Sequence, residues 1–286
     1  MEYILENEVL RVTINSKGAE LTSIYNKAEE RECLWNGDPA AWGRHAPVLF
    51  PVVGKYKDCK SKFEGKTYEM GQHGFARDME FILAKEGKTS IELAITENED
   101  TLKKYPFKFR LICGYELSGN AVKVIWKVEN TNDRKMYFSI GGHPAFVGRK
   151  KSLTGAEFEF DCADKLDYYL INGSGNMIRE KHELALNGNR LEVSEHLFDK
   201  DALIVQDRQA SAVSLYEDGK RLVTVRMDCP LFGLWSATGK GNPFVCIEPW
   251  FGRCDAEDFA GSLAEREFGN ALEAGKTFTA GFEMEF

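Results

Sequence analysis

The sequence predicts an all-β protein folded as a large antiparallel sandwich. Three observations lead to this prediction: short segments in which apolar and polar residues alternate, turn signals between those segments, and the lack of long helical patterns between the strands. Alternation with a period of two marks half-buried strands, and parallel sheets need crossover helices that this sequence does not contain. We expect residues 1–286 to form a single domain, because β folds commonly reach this size and no linker-like stretch interrupts the chain.

The predicted elements follow one another along the whole chain. The clearest strand segments are residues 9–14, 91–95, 107–111, 122–128 and 222–227. Turns are predicted at residues 118–120, 187–189 and 217–220, where glycine stands beside asparagine, aspartate or serine. The best helical segment is 97–105, which ends before a proline, and weaker helical candidates are 39–42 and 193–198.

Composition excludes several classes of partner. The net charge is −8 and no run of Lys or Arg is long enough for a nucleic-acid footprint, so we expect no nucleic-acid partner. No apolar stretch reaches the length of a membrane span, and the first residues lack the pattern of a signal peptide, so we expect no membrane association and a cytoplasmic location. The seven cysteines form no Cys-x-x-Cys pair, which favours reduced thiols.

Two ionisable residues stand out because each ends an apolar run and directly precedes a proline. They are His143, within Ile-Gly-Gly-His-Pro-Ala-Phe, and Glu248, within Val-Cys-Ile-Glu-Pro-Trp-Phe-Gly. A proline restricts the preceding residue to extended backbone, and apolar surroundings move the pKa values of imidazole and carboxyl groups toward neutrality. The pair is therefore a candidate acid and base. The alternatives are a core histidine bonded to backbone and a buried glutamate that is salt-bridged, for instance to Arg44.

Two further polar residues lie in segments that look buried. Arg44 is set in the nearly uncharged segment 42–54, where its donors could bind hydroxyl groups or it could cover apolar residues, while its neighbour His45 should face away. His73 lies in Gly-Gln-His-Gly-Phe-Ala-Arg-Asp, where glycines allow backbone to approach a ligand, although a turn histidine would look the same. Arg77 and Asp78 could form a local ion pair.

We expect no cofactor and no metal. The sequence has no dinucleotide or Walker loop, no Gly-x-Ser-x-Gly and no His-Glu-x-x-His. His73, His143 and Glu248 could together bind a metal, but they are far apart in sequence and no His-x-His pattern accompanies them.

Four motifs, taken in order, resemble the aldose 1-epimerase (galactose mutarotase-like) family, in its shorter branch. They are Arg44 in Trp-Gly-Arg-His-Ala-Pro-Val-Leu-Phe-Pro, His73 in His-Gly-Phe-Ala-Arg, His143 in Gly-Gly-His-Pro-Ala-Phe and Glu248 in Ile-Glu-Pro-Trp-Phe-Gly. The resemblance implies a β-supersandwich with a sugar-binding cleft and cofactor-free interconversion of the α and β anomers of an aldose. The family's galactose enzymes carry an Asn-His-x-x-Phe type of motif where this chain has Gly-Gly-His-Pro-Ala-Phe, so the resemblance leaves the sugar open.

The resemblance also implies roles for individual residues. Glu248 corresponds to the general base that takes the proton of the 1-hydroxyl, and His143 to the general acid that protonates the ring oxygen. His73 and Arg44 correspond to groups that hold the ring oxygen and neighbouring hydroxyls. A substrate-binding aspartate is expected at Asp201, directly before a strand, with Asp199 as the alternative. Apart from the resemblance, aromatic residues stand beside these polar candidates, so we expect a sugar ring to stack on Trp42, Trp250 or Phe251, and Trp250 is the residue to test.

Three other functions compete with this one. An enzyme of the same fold acting on hexose 6-phosphates would need extra cations near the cleft, for which Arg44 and Arg77 are available. A sugar-binding or regulatory protein would keep the cleft without turnover, and would not need both His143 and Glu248. A glycosidase would need two suitably spaced carboxylates, and only Glu248 has the right setting.

An exposed edge strand could support a homodimer.

Overall fold

The computed structural model describes residues 1–162 and 164–286, and within them it contains 25 strands, one α-helix and three single 3₁₀ turns. The helix α1 spans Glu99–Lys104, and the 3₁₀ turns span Lys57–Cys59, Ala76–Asp78 and Leu263–Glu265. The strands are β1 (Glu2–Glu6), β2 (Leu10–Asn15), β3 (Glu20–Asn26), β4 (Arg31–Glu32), β5 (Val48–Leu49), β6 (Lys60–Phe63), β7 (Lys66–Glu69), β8 (Ile82–Glu86), β9 (Ser90–Thr96), β10 (Phe109–Ser118), β11 (Ala121–Asn130), β12 (Met136–Phe138), β13 (Ile140–Gly142), β14 (Ala145–Phe146), β15 (Glu157–Phe160), β16 (Lys165–Ile171), β17 (Met177–Ala185), β18 (Arg190–Glu192), β19 (Leu203–Gln206), β20 (Ala212–Glu217), β21 (Lys220–Met227), β22 (Leu231–Trp235), β23 (Val245–Phe251), β24 (Asn270–Leu272) and β25 (Thr277–Glu285).

Two large sheets dominate the architecture, and all of the strand ladders described are antiparallel. One sheet has nine strands in the order β18-β15-β20-β21-β25-β11-β10-β9-β8. The other has eight, in the order β17-β16-β19-β22-β23-β13-β5, with β14 also paired to β23. A four-stranded sheet, β1-β2-β3-β4, and the two-stranded sheets β12-β24 and β6-β7 complete the fold. The predicted all-β sandwich is confirmed.

The two large sheets pack face to face through aromatic side chains. Trp126 of the nine-stranded sheet is fully buried, with its ring centroid 6.5 Å from that of Phe251 in the eight-stranded sheet. Phe251 also meets Phe278 at 5.6 Å, and Phe160 stacks on Phe232 at 6.4 Å. Burial of such rings supplies much of the stability of a core. The opposite face of the eight-stranded sheet is therefore left available for a site.

Strand β23 shows how the sequence assigns residues to these two faces. Successive side chains on a strand point to opposite sides of the sheet. Val245 and Ile247 belong to the main core between the sheets, whereas Cys246 and Trp250 belong to small clusters on the other face. Glu248 has the same parity as these two residues, and it lines a cavity on that face.

Most of the local predictions are confirmed. The five alternating segments lie in or overlap β2, β9, β10, β11 and β21. The turn at 217–220 joins β20 to β21 with Asp218 and Gly219 at positive φ, as a type I′ turn requires. The predicted helix at 97–105 is α1, capped by the Asn98 side chain.

The weaker helix predictions at 39–42 and 193–198 are wrong, because both segments form turns. A few residues gain too few hydrogen bonds to offset helix nucleation. One edge of the nine-stranded sheet is β8, all of whose residues are exposed, and the other edge is β18. None of the helices in the described part of the chain has the length and apolar character needed to cross a membrane.

Candidate active site

An antiparallel ladder places His143 directly opposite Glu248. Strand β23 pairs with β13 before His143 and with β14 after it, and the register is the same on both sides. The pairs that define this register are Ile140 with Phe251, Gly141 with Trp250, Ala145 with Cys246 and Phe146 with Val245. Two motifs that are distant in the sequence therefore meet on one face of the sheet.

The two side chains touch in a buried position. Nε2 of His143 lies 3.2 Å from Oε2 of Glu248, and only 9% and 1% of the two side chains are exposed. The pair is within hydrogen-bonding distance but not aligned, since Oε2 of Glu248 and Nδ1 of His143 have no hydrogen-bond partner among the described residues. Buried polar atoms are normally satisfied, so these atoms indicate a place where a ligand's polar groups bind.

A cavity of about 320 Å³ opens in front of this pair, a volume suited to a small molecule. Its walls combine aromatic rings, glycines and a few polar groups. The lining residues are Trp42, Val53, Gly54, Gln72, His73, Arg77, His143, Ile171, Gly175, Asp201, Ala202, Trp235, Glu248, Trp250 and Cys254.

Aromatic rings hold the His143 imidazole in place. Trp42 stacks on it with centroids 4.7 Å apart and an interplanar angle of 27°. Trp235 and His73 meet it nearly edge-on, at 5.4 and 5.7 Å. This enclosure removes water from the imidazole and restricts its rotation.

Burial determines which of the two groups, the Glu248 carboxyl or the His143 imidazole, carries the proton that they share. It raises the pKa of Glu248 well above the ordinary 4.5, and the Asp201 carboxylate raises it further. Burial, assisted by the positive charge of Arg77, lowers the pKa of His143 from 6.5 to about 3. Desolvation disfavours the charged form of each group. Between these two pKa values the pair holds one proton, on the Glu248 carboxyl.

His73 enters the cavity from a strained backbone position, as its φ of 64° lies in the left-handed region. The ring nitrogen Nδ1 of His73 accepts a hydrogen bond from the Gly54 N–H at 3.1 Å. The backbone N–H of His73 donates to the Gly54 carbonyl at 2.7 Å. Burial, with the neighbouring His143 and Arg77, lowers the pKa of His73 well below its usual value, so the imidazole is neutral. Since Nδ1 accepts, Nε2 carries the proton and is a donor; the Gln72 amide nitrogen lies 3.2 Å from Nε2, so in this tautomer the amide turns its oxygen toward the ring.

A buried ionic network fixes the loop that holds His73. Asp255 accepts hydrogen bonds from the Lys57 N–H at 2.9 Å and from Nε of Arg266 at 2.7 Å, and its own N–H donates to the Lys55 carbonyl. Asp255 and Arg266 are both buried. The network therefore positions the segment that directly follows Gly54.

Two glycines leave room for the Trp250 ring on the floor of the cavity. A Cβ atom on Gly233 would lie 2.6 Å from the Trp250 ring, and one on Gly141 would lie 2.7 Å from it. The indole can therefore lie flat across its neighbouring strands. Trp250 is buried, and its Nε1 has no hydrogen-bond partner in residues 1–162 and 164–286.

The structure separates the alternatives left open for the aspartate and the stacking ring. Asp201 lines the cavity with Glu248, whereas Asp199 lies outside it and pairs with His196 at 2.9 Å. Phe251 packs in the core on the other face of β23, so its ring does not face the cavity where a sugar would stack. Trp42 and Trp250 both line the cavity.

Arg77 lines the cavity, whereas its sequence motif predicts either one half of a local ion pair or a cation available to a phosphate group. Arg44, predicted to bind substrate, instead donates to the Arg77 carbonyl at 3.2 Å and to Asp78 at 2.7 Å. Nε of Arg77 is buried without a hydrogen-bond partner in the described part of the chain. Its position four residues after His73, within the same motif, was the signal available in the sequence.

One group of residues near the cavity has the chemistry of a metal site. His143, Cys246 and Glu248 each offer a ligand atom, and these atoms all lie within 4.8 Å of one another. The combination differs from the set with His73 that the sequence suggested, because Cys246 lies beside Glu248 on the same face of β23.

Comparison with known proteins identifies the family. The sequence model of the family described as aldose 1-epimerase matches residues 1–285. The plasmid-encoded protein LacX of Lactococcus lactis is 31% identical over 262 residues, which cover 87% of each protein.

Two solved structures agree with this result. A galactose mutarotase related enzyme from Lactobacillus acidophilus is 36% identical, with a TM-score of 0.94 over 100% of this chain and 97% of the other. A galactose mutarotase-like protein from Lactobacillus casei is 30% identical, with a TM-score of 0.91 over 100% and 99%. The fold, the match along nearly the whole chain and these relatives lead to one conclusion: the chain belongs to the aldose 1-epimerase family and is an isomerase of the mutarotase type.

Proposed function

We propose that residues 1–286 form one sugar-binding and catalytic domain that interconverts the α and β anomers of an aldose. The observation that carries this proposal is the 3.2 Å contact between Nε2 of His143 and Oε2 of Glu248 inside a cavity. The 1-hydroxyl and the ring oxygen of an aldose are bonded to the same carbon. An acid and a base that act on these two oxygens must therefore lie a few ångströms apart.

Glu248 is the base and His143 the acid. The carboxylate of Glu248 takes the proton of the 1-hydroxyl, the C1–O bond of the ring breaks, and the imidazolium of His143 gives its proton to the ring oxygen. The free aldehyde forms, the C1–C2 bond rotates, and closure on the other face returns both protons. The reaction moves protons but needs no other reactant.

The pair keeps one proton throughout this cycle. Before opening the proton is on His143, and afterwards it is on Glu248. Burial favours the uncharged forms of both groups, which is the state that follows ring opening. Hydroxyl groups of the bound sugar replace water around the Glu248 carboxylate and the His143 imidazolium. Each cycle therefore needs only the short transfer of one proton from Glu248 to His143 before the ring opens.

The remaining cavity residues bind the sugar. His73 donates from Nε2 to a sugar oxygen, Asp201 accepts from hydroxyl groups, and Trp250 offers a flat apolar surface to one face of the ring. Arg77 donates in the role predicted for Arg44, while Arg44 holds it through the Arg77 carbonyl.

Polarimetry of freshly dissolved α-anomers of glucose and galactose tests the proposal. We expect Glu248→Gln and His143→Asn each to lower the enzymatic rate by at least about 100-fold, the usual effect of losing a general acid or base. Glu217→Gln and His45→Asn are matched controls outside the cavity and should keep the wild-type rate. Wild-type rates in both cavity variants would refute the roles of Glu248 as base and His143 as acid.

A phosphorylated sugar is the second candidate substrate. The charges of Arg77, Arg44 and Lys55 all act on His73, which places several cations near one end of the cavity. A hexose 6-phosphate should therefore be included in the assay, with Arg77→Met as the variant that separates the substrates. A selective loss with the phosphate ester would identify it as the substrate. Binding of a sugar without any acceleration would favour a regulatory protein.

A further inference from the structure

Cys246 lies close to the proposed acid and base although it does not line the cavity. It is fully buried, and it precedes Glu248 by two residues on β23, so both side chains point to the same face. Its sulfur, the His143 imidazole and the Glu248 carboxylate offer three ligand atoms within 4.8 Å of one another. The proposed sugar chemistry gives this thiol no task.

The spacing of these atoms approaches that of a tetrahedral zinc site. With bonds of about 2.0–2.2 Å to nitrogen and oxygen and about 2.3 Å to sulfur, neighbouring ligand atoms lie about 3.4–3.6 Å apart. Nε2 of His143 and Oε2 of Glu248 are already 3.2 Å apart. The sulfur lies at most 4.8 Å from either atom, so a movement of about 1.2 Å, which a side-chain rotation supplies, completes the set.

An independent observation indicates that the position is prepared for a ligand. Oε2 of Glu248, one of the proposed ligand atoms, is buried and has no hydrogen-bond partner among the residues described. The cavity in front of the pair leaves room for a water molecule as the fourth ligand. A carboxylate and a thiolate together balance the charge of a divalent cation.

We propose that His143, Cys246 and Glu248 form an inhibitory site for Zn²⁺ and chemically similar divalent ions. On binding, the Cys246 thiol loses its proton to solvent, as does the Glu248 carboxyl where it is protonated, and no electron is transferred. The ion occupies both groups of the proposed acid/base pair, so metal and sugar exclude each other. The metal is not part of the reaction and its removal restores the free pair.

Binding of Co²⁺ tests the site without relying on activity. Tetrahedral Co²⁺ bound to a thiolate absorbs visible light and has a charge-transfer band in the near ultraviolet. We expect the wild-type protein to show both bands at one Co²⁺ per chain, with Zn²⁺ abolishing them by displacement. Cys246→Ala should lose the charge-transfer band and bind Zn²⁺ at least about tenfold more weakly, as expected for loss of a zinc ligand.

Cys113→Ala is the matched control, because Cys113 is also a fully buried thiol but neither lines the cavity nor belongs to the ligand group. It should keep both bands. Glu248→Gln preserves side-chain volume and serves as a second variant, whose Zn²⁺ affinity should also fall at least about tenfold. A charge-transfer band that survives in Cys246→Ala, or equal Zn²⁺ affinity in wild type and both ligand variants, would overturn the proposal, as would a wild-type protein without the band.

The effect on mutarotation distinguishes this proposal from the function itself. Zn²⁺ should inhibit wild type and Cys113→Ala competitively with the sugar, and a chelator should restore the rate. If no sugar is turned over, the Co²⁺ bands still report the metal site. Inhibition that is equally strong in Cys246→Ala would place the ion elsewhere and refute the proposal.

Discussion

The stability advantage of the Glu248→Gln variant over the wild-type protein should grow as the pH rises. In the folded protein the Glu248 side chain is 1% exposed, its Oε2 has no hydrogen-bond partner among the described residues, and burial raises its pKa well above 4.5. In the unfolded chain the same carboxyl ionises freely. Glutamine fills a similar volume and has no charge, so the variant folds without the proton uptake that keeps Glu248 neutral when it is buried.

The sign and size of the effect follow from proton binding. Above the ordinary carboxyl pKa and below the raised one, the folded wild type holds a proton that the unfolded chain has lost. Its free energy of unfolding therefore falls, relative to the variant, by about 1.4 kcal/mol per pH unit. A chain of 286 residues has an unfolding entropy of about 0.6 kcal/mol/K, so the Tm advantage of the variant grows by about 2 °C per pH unit.

Scanning calorimetry of both proteins between about pH 5 and about pH 8, at constant ionic strength, measures this slope. Glu217→Gln is the control for the substitution itself, because Glu217 is also buried but accepts hydrogen bonds from the N–H groups of Arg149 and Lys150. It should lose stability rather than gain it. A Tm difference between wild type and Glu248→Gln that does not change with pH would refute the reasoning, because Glu248 would then titrate normally in the folded protein.

Three other predictions concern activity. The kcat/KM of mutarotation should stay constant as the pH falls through about 6.5 and about 4.3, the ordinary histidine and glutamate values, because His143 gains the second proton of the pair only at about 3. It should fall as the pH rises through the raised pKa of Glu248, and limbs at the two ordinary values would contradict this. Trp250→Ala should raise KM by about tenfold through loss of stacking, and an unchanged KM would count against that role. Asp255→Asn should lower kcat/KM by about tenfold or more by releasing the loop that holds His73, and unchanged nitrogen chemical shifts of His73 would show that the loop had not moved.

Much of the site could be found in the sequence because its chemistry is local. His143 and Glu248 stand out as ionisable residues at the ends of apolar runs, each before a proline. Arg77 could not be separated from a surface ion pair, because its role depends on what lies across the cavity. The apolar neighbours of Arg44 predict a binding role for it, yet its guanidinium contacts Asp78 and the Arg77 carbonyl.

The alternation along β23 was sufficient to put Glu248 and Trp250 on one face of a strand, since side-chain direction has a period of two. The sequence could not show which face covers the core. Contacts with Trp126 and Phe278 decide that Phe251 is a core residue and that Trp250 belongs to the cavity.

The sequence by itself therefore determined the all-β class, the main strands and the two residues of the proposed acid/base pair. Only the tertiary structure decided that His143 lies opposite Glu248 and that Cys246 lies beside them. The physical reason is that strand register depends on hydrogen bonds between segments far apart in the chain, and a shift of one residue would turn each side chain to the other face.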